Sequence, residues 1–160
     1  LLNIGSRKQA LAAWDEIHAN VKAYDPSLAL DGVLVERMAA RGVEMIVGAR
    51  RDPTWGPVLL VGFGGVQAEL LKDVCVLAPD LSAEEIKVEI LKLRCAALLT
   101  GFRGAPAAAI ADLAEVAANL GALMRQEPRI LEIDLNPVVV HAEGEGVSVL
   151  DALISLAAES

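Results

Sequence analysis

The residues most able to do chemistry are an amide and a carboxylate. Asn136 lies in Glu132-Ile133-Asp134-Leu135-Asn136-Pro137, an apolar-alternating segment that ends in an acid, an amide and a proline. Asp151 lies in Leu150-Asp151-Ala152, at the end of the next apolar segment. Two antiparallel strands joined by a short loop place the pair side by side. Carboxylate and amide oxygens suit a hard cation such as Mg²⁺, which keeps room for phosphate oxygens. The competing reading is that Asn and Asp at strand ends simply form turns.

Three further clusters raise similar alternatives. Gly62-Phe63-Gly64-Gly65 follows a buried strand, and its glycines can turn amide N–H groups toward an anion or merely form a bulge. Glu69 and Asp73 follow it, on one face if the segment is a strand. Arg50-Arg51-Asp52-Pro53 offers guanidinium groups to a phosphate or acyl phosphate, or forms a weak surface ion pair. Arg103, between Gly101 and Gly104, either faces a ligand or complements a helix C-terminus. Nucleophilic catalysis finds no support: there is no Gly-x-Ser-x-Gly elbow. His18 and His141 lack metal-ligand spacing and read as surface or half-buried side chains.

The chain that must position these groups has 160 residues, enough for one domain with a real core. Hydrophobic residues make up 54 % but aromatics only 3 %, so Ala, Leu, Val and Ile must fill that core. The net charge is −8, and no Lys/Arg run offers a stripe to nucleic acid. No apolar run reaches the ~20 residues that span a bilayer. Cys75 and Cys95 are too few for a disulfide framework and read as buried free thiols. We therefore expect a reducing, cytoplasmic setting with neither nucleic acid nor membrane as partner. Leu1-Leu2-Asn3-Ile4 reads as a strand end belonging to something longer.

Ser6 is a candidate N-cap for a helix over residues 7–24, stopped by Asp25-Pro26-Ser27. Residues 32–38 alternate like a strand and are expected to pair with a second strand over residues 43–51. Residues 52–57 are a loop, 58–61 a short strand, and 66–77 a further extended segment. A capping box, Ser82 with Glu85, starts a helix expected to reach about residue 99. A second, Ala-rich helix covers 107–125. Closing strands follow over 129–135, 138–141 and 147–150, with Glu143-Gly144-Glu145-Gly146 as a hairpin turn. The pattern is an α+β fold, with flanking helices on a largely antiparallel sheet, in a single domain over residues 1–160.

Taken in order, these stretches resemble the ATP-grasp module of nucleoside-diphosphate-forming acyl-CoA synthetases, relatives of the succinyl-CoA synthetase β subunit. Gly32-Val33-Leu34-Val35-Glu36-Arg37-Met38 and Gly42-Val43-Glu44-Met45-Ile46-Val47-Gly48 look like its adenine-side strands. Arg51-Asp52-Pro53-Thr54-Trp55-Gly56-Pro57 resembles its RDPxFGP loop, with Trp for Phe. Gly64-Gly65-Val66-Gln67-Ala68-Glu69-Leu70-Leu71-Lys72-Asp73-Val74 is similar to its GG-x-x-x-E-x-x-KDV segment. Gly101-Phe102-Arg103-Gly104 matches its G-x-RG turn, and Asp134-Leu135-Asn136-Pro137 and Asp151-Ala152 its D-x-NP and DAR segments.

The resemblance implies the C-terminal portion of an ATP-grasp fold. It makes Asn136 and Asp151 the Mg²⁺ ligands and Arg51, Glu69 and Arg103 catalytic. It assigns Glu36 and Met38 to the adenine hinge and Gly64 and Gly65 to the nucleotide. Glu44 faces the ribose or the sheet behind it. The implied activity is that of an acid–thiol ligase, with phosphoryl transfer between a phosphohistidine and ADP or ATP coupled to acyl-CoA formation. Its partners are the nucleotide and the CoA-binding and phosphohistidine domains of the same enzyme. The Lys-rich phosphate-gripping segment is expected upstream of Leu1, so this chain alone is not expected to turn over. Departures are Leu153 for the Arg of DAR, Ala109 for an Asp after the RG turn, and no Arg between the KDV segment and Ala78-Pro79. Two alternatives share the motifs: the same module fused to an acetyltransferase, and a degenerate interaction domain without nucleotide.

Overall fold

A computed structural model describes residues 1–65 and 72–158. The chain divides into two compact units, Leu1–Met38 and Ala39–Ser160.

The first unit is built on helix α1, Arg7–Tyr24. Ser6 caps it by accepting from the Gln9 N–H at 3.3 Å, while the Gln9 side chain accepts from the Gly5 N–H at 2.9 Å. These reciprocal contacts satisfy N–H groups that a helix start leaves without partners. Asp25 ends the helix, its carboxylate accepting from the N–H and hydroxyl of Ser27. Trp14 stacks on His18 with ring centroids 4.3 Å apart. Residues 32–38 form no strand, contrary to the alternation of their side chains. Leu34 and Val35 are more than four-fifths exposed.

The second unit is an antiparallel six-stranded sheet with helices on one face. Strands β1 (Val43–Asp52), β2 (Gly56–Phe63) and β3 (Val74–Leu77) run in sequence order on one side. Strand β4 (Ile130–Val140) pairs with the other edge of β1, and itself pairs with β5 (Val147–Val149) and β6 (Ala152–Leu156). Both edges of β1 are therefore filled by β2 and β4, which leaves none for residues 32–38.

Alternation on β1 sends Met45, Val47 and Ala49 into the core, where Leu59, Val61 and Phe63 of β2 and Ile133 and Leu135 of β4 join them. Helices α2 (Ala83–Ile90) and α3 (Ile110–Gln126) close this core with Ile86, Ile90, Leu113 and Met124. Gly121 of α3 sits where a Cβ would be 2.3 Å from the Pro79 carbonyl oxygen, so a larger residue would push the helix off the chain crossing it.

The Ser82–Glu85 capping box forms as expected, but α2 stops at Ile90 rather than near residue 99. The chain tightens at Lys92 and Leu93, and Asp73 then holds the residues beyond. Its buried carboxylate accepts from the N–H groups of Arg94 (3.0 Å) and Cys95 (2.8 Å), which a continuing helix would direct at its own carbonyls. Burial pushes this carboxyl up, but the two N–H groups outweigh burial and hold it below the usual carboxylate range. Cys75 and Cys95 are free but only partly buried, because β3 is an edge strand and Cys95 lies beyond the helix end. Burial pushes both thiols up, so they stay protonated. His141 is buried rather than at the surface or half-buried, with Nε2 2.8 Å from the Ser148 hydroxyl. Among the described residues, no helix is long and apolar enough to cross a membrane.

Candidate functional site

The sheet face turned away from α2 and α3 carries the polar groups. Alternation places Glu44, Ile46, Gly48 and Arg50 of β1 there, with Glu132, Asp134 and Asn136 of β4. Register sets Gly48 opposite Asp134 and Arg50 opposite Glu132. Asp134 and Glu132 are exposed acids on this face that sequence reasoning left without a role; their alternation with Ile133 and Leu135 is the signal that finds them.

Asn136 and Asp151 meet where β4 changes partner. Below this point β4 pairs with β6, through Leu135 opposite Ala152; above it β4 pairs with β5, through Val138 opposite Val149. At the handover the Asn136 N–H donates to the Asp151 carbonyl at 3.2 Å, and the Leu150 N–H donates to the Pro137 carbonyl at 3.0 Å. Both side chains are exposed. One carboxylate oxygen of Asp151 accepts from the Ala152 N–H at 2.8 Å, which fixes its rotamer and leaves the second oxygen open. An exposed amide and a half-engaged carboxylate on adjoining backbone fit a hard cation that also takes water and phosphate oxygens. Among the described residues no group of three or more His, Cys, Asp or Glu could hold a metal, so any cation here depends on ligands beyond such a cluster.

The glycine loop leaves β2 beside Glu44. The Gly64 N–H donates to the Glu44 carbonyl at 2.8 Å. Gly65 has φ +67°, and a Cβ on it would lie 2.9 Å from the Glu44 carboxylate. The positive φ is what calls for glycine here; the Cβ contact falls on the far end of the Glu44 side chain, which can swing aside. Gly64, Gly65 and Glu44 line an open pocket of about 460 Å³ with Leu98 and Phe102. Arg103 follows Phe102 in the Gly101–Gly104 turn. It has φ +51°, is exposed, and its guanidinium lies 5.3 Å from the Phe102 ring centre.

Arg51 is placed differently from expectation. Its guanidinium donates to the carbonyls of Met124 (2.7 Å), Glu127 (3.3 Å) and Ile130 (3.2 Å), closing the C-terminal end of α3. Of these carbonyls Met124 lies in the last turn of α3, Glu127 caps it and also accepts from the Ile130 N–H, and Ile130 starts β4, so Arg51 ties the helix end to the sheet. Arg50 instead makes a surface ion pair with Asp52 at 3.7 Å. In the first unit, Glu36 and Met38 line an open groove with Trp14, Ile17 and Val33. Glu69 lies outside the described residues.

Residues 1–156 match the ATP-grasp domain family. The chain belongs to this family. Among curated relatives, a trans-feruloyl-CoA synthase from an unknown prokaryotic organism is 51 % identical over 96 % of the chain. The β subunit of acetate–CoA ligase (ADP-forming) II of Pyrococcus furiosus is 34 % identical over 98 % of it. The ATP-grasp chain spans 22 % of the former and 66 % of the latter. Among solved structures, acetyl-coenzyme A synthetase 1 of Ca. Korarchaeum cryptofilum with coenzyme A and Ca-AMPCP superposes with TM-score 0.86 at 36 % identity, covering 98 % of this chain and 68 % of that one. The same protein with coenzyme A and Mg-AMPPCP gives 0.82 at 33 % identity, covering 98 % and 67 %. The expected α+β architecture and the resemblance to acyl-CoA synthetases of this type both hold.

Proposed function

We propose that this ATP-grasp chain is the nucleotide- and Mg²⁺-handling portion of a nucleoside-diphosphate-forming acyl-CoA synthetase. In this reading it moves a phosphoryl group between a phosphohistidine and ADP or ATP, coupled to acyl-CoA thioester formation. The observation that carries it is the Asn136–Asp151 junction, which presents an amide and a carboxylate on adjoining backbone at the polar face of the sheet.

Asn136 and Asp151 would hold Mg²⁺, which when bound neutralises charge on the nucleotide phosphates. This chain's own contribution is positioning. The backbone hydrogen bond between the two residues fixes their spacing before nucleotide arrives. Gly65 gives the phosphates close approach to main-chain N–H groups, and Glu44 sits against it to receive a ribose hydroxyl. Arg103 is an exposed cation beside that pocket, free of any ion pair among the described residues. Glu36 and Met38 would contact adenine.

The partners in this reading are CoA-binding and phosphohistidine domains, on the same polypeptide or on a second subunit. The 51 % identity to a feruloyl-CoA synthase, against 34 % to the acetate ligase subunit, favours an aromatic acid over acetate as substrate. The intact enzyme assayed for ADP formation with ferulate, acetate and CoA tests both statements. ADP formed only with CoA, and faster with ferulate, supports them. AMP in place of ADP, or no turnover of any acid, contradicts the reaction class.

A further inference from the structure

Among the described residues two polar or charged side chains are buried, Asp73 and His141. Asp73 holds the chain beyond α2. No step of phosphoryl transfer calls on His141. Its backbone is fixed: the N–H donates to the Gly146 carbonyl at 3.0 Å, and the carbonyl accepts from the Ala109 N–H at 2.9 Å, at the start of α3. The ring therefore stands on a rigid frame.

The ring Nδ1 lies 3.4 Å from the Arg41 carbonyl, and Nε2 lies 2.8 Å from the Ser148 hydroxyl. A carbonyl oxygen only accepts, so Nδ1 carries a proton and donates to Arg41. In the neutral ring Nε2 then accepts from the Ser148 O–H, which orients the imidazole. Arg41 directly precedes Gly42, and Gly42, Val43 and Glu44 form one wall of the pocket that Gly64 and Gly65 line. Gly42 runs so close to β4 that a Cβ there would strike the Val140 carbonyl and a methyl of Val139. Val43 then pairs with Val140, and Glu44 with Val139. The chain entering β1 is thus fastened to the end of β4 at Arg41, Gly42 and Val43 in turn, and His141 makes the first fastening. Arg41 is itself exposed, so nothing packed over it would replace that hold.

We infer that His141 is a positioning residue for nucleotide: by holding the Arg41 carbonyl it fixes the pocket wall that begins at Gly42 and carries Glu44. The inference rests on the reading of that pocket as the nucleotide site. His141 touches no nucleotide and takes no part in the chemistry. Ser148 acts one step further back, by guiding the ring.

The test is steady-state kinetics of the intact enzyme with ATP, CoA and acid varied in turn, on His141→Asn, His141→Gln and Ser148→Ala, beside thermal unfolding of each. An Asn amide nitrogen stands in for Nδ1 and keeps the donor to Arg41. A Gln amide nitrogen stands in for Nε2 and reaches Ser148 only. His141→Gln should raise KM for ATP about fivefold, in line with the loss of one neutral hydrogen bond, with kcat within about twofold of wild type. KM for CoA and for the acid should not move. His141→Asn should bring KM for ATP back to within about twofold of wild type, and Ser148→Ala should raise it by less than His141→Gln does. A purely structural His141 would lower the melting temperature in the Asn and Gln variants alike and leave KM for ATP unchanged, which overturns the inference. So does a rise in KM that His141→Asn fails to reverse, or a loss confined to kcat. If His141→Gln does not fold, Ser148→Ala decides, and an unchanged KM for ATP in it overturns the inference. Wild-type enzyme that forms no ADP with any acid would instead contradict the functional reading.

Discussion

The backbone N–H of Asn136 donates to the carbonyl of Asp151 at 3.2 Å, locking the two residues together where β4 passes from β6 to β5. Main chain makes this bond, so it survives substitution of either side chain. The metal role proposed for the pair and its part in folding can therefore be separated by mutation. Asp151→Ala and Asn136→Ala should each leave the melting temperature nearly unchanged, because both side chains are exposed. Each should slow phosphoryl transfer in the intact enzyme by about 100-fold or more, equivalent to ~2.7 kcal/mol. Thermal unfolding alongside turnover checks this; a large drop in melting temperature would assign the residues to the fold.

Gly65 should tolerate Asn better than Val. At φ +67° a β-branched residue is strained by about 1–2 kcal/mol, and its Cβ would press on the Glu44 carboxylate. Asn accepts this φ but still brings the Cβ. Gly65→Val should lose both stability and nucleotide binding, and Gly65→Asn chiefly the binding. Denaturant titration and nucleotide calorimetry on the two variants separate these effects.

Arg51→Met should cost about 1–3 kcal/mol of stability by leaving the Met124 carbonyl at the end of α3 without its donor and untying the helix end from the sheet. Turnover per folded molecule should stay close to normal. Urea unfolding and an activity assay normalised to folded protein check this; a stable but inactive variant would restore Arg51 to the catalytic machinery.

Asp73 links acid to unfolding. Its folded-state pKa is depressed below 3.8, so its contribution is fully present above that value and fades as pH falls through the lower folded value. Asp73→Ala should destabilise the protein at pH 7 by about 2 kcal/mol, by orphaning the N–H groups of Arg94 and Cys95. The variant should lose less stability than the wild type between pH 5 and 2. Equilibrium unfolding across that range gives the comparison.

Local patterning made much of this architecture legible, and long-range contacts account for what it missed. The Ser6 and Ser82 caps, the antiparallel sheet and the Glu143–Gly146 turn follow from neighbouring residues. The early end of α2 does not: residues 91–99 carry helical spacing, but the chain tightens at Lys92 and Leu93, and the carboxylate of distant Asp73 then holds the N–H groups of Arg94 and Cys95. Residues 32–38 alternate as a strand should, yet both edges of β1 are taken. Strand β6 went unforeseen because Leu153, Ile154 and Leu156 show no polar alternation, being exposed on both faces of an edge strand. At the site, the Asn136–Asp151 juxtaposition was readable from two strand ends. The use of Arg51 on α3 was not, since nothing near it in sequence announces a helix terminus more than seventy residues away.

The central claim is that Asn136 and Asp151 hold the cation through which this ATP-grasp chain engages nucleotide. Calorimetric titration of ADP into the intact enzyme, with and without Mg²⁺, tests it most directly. The wild type should bind ADP more tightly with Mg²⁺, by about tenfold or more, equivalent to ~1.4 kcal/mol. Asn136→Ala and Asp151→Ala should each bind ADP with the same affinity whether or not Mg²⁺ is present. An undiminished Mg²⁺ enhancement in both variants would contradict the account.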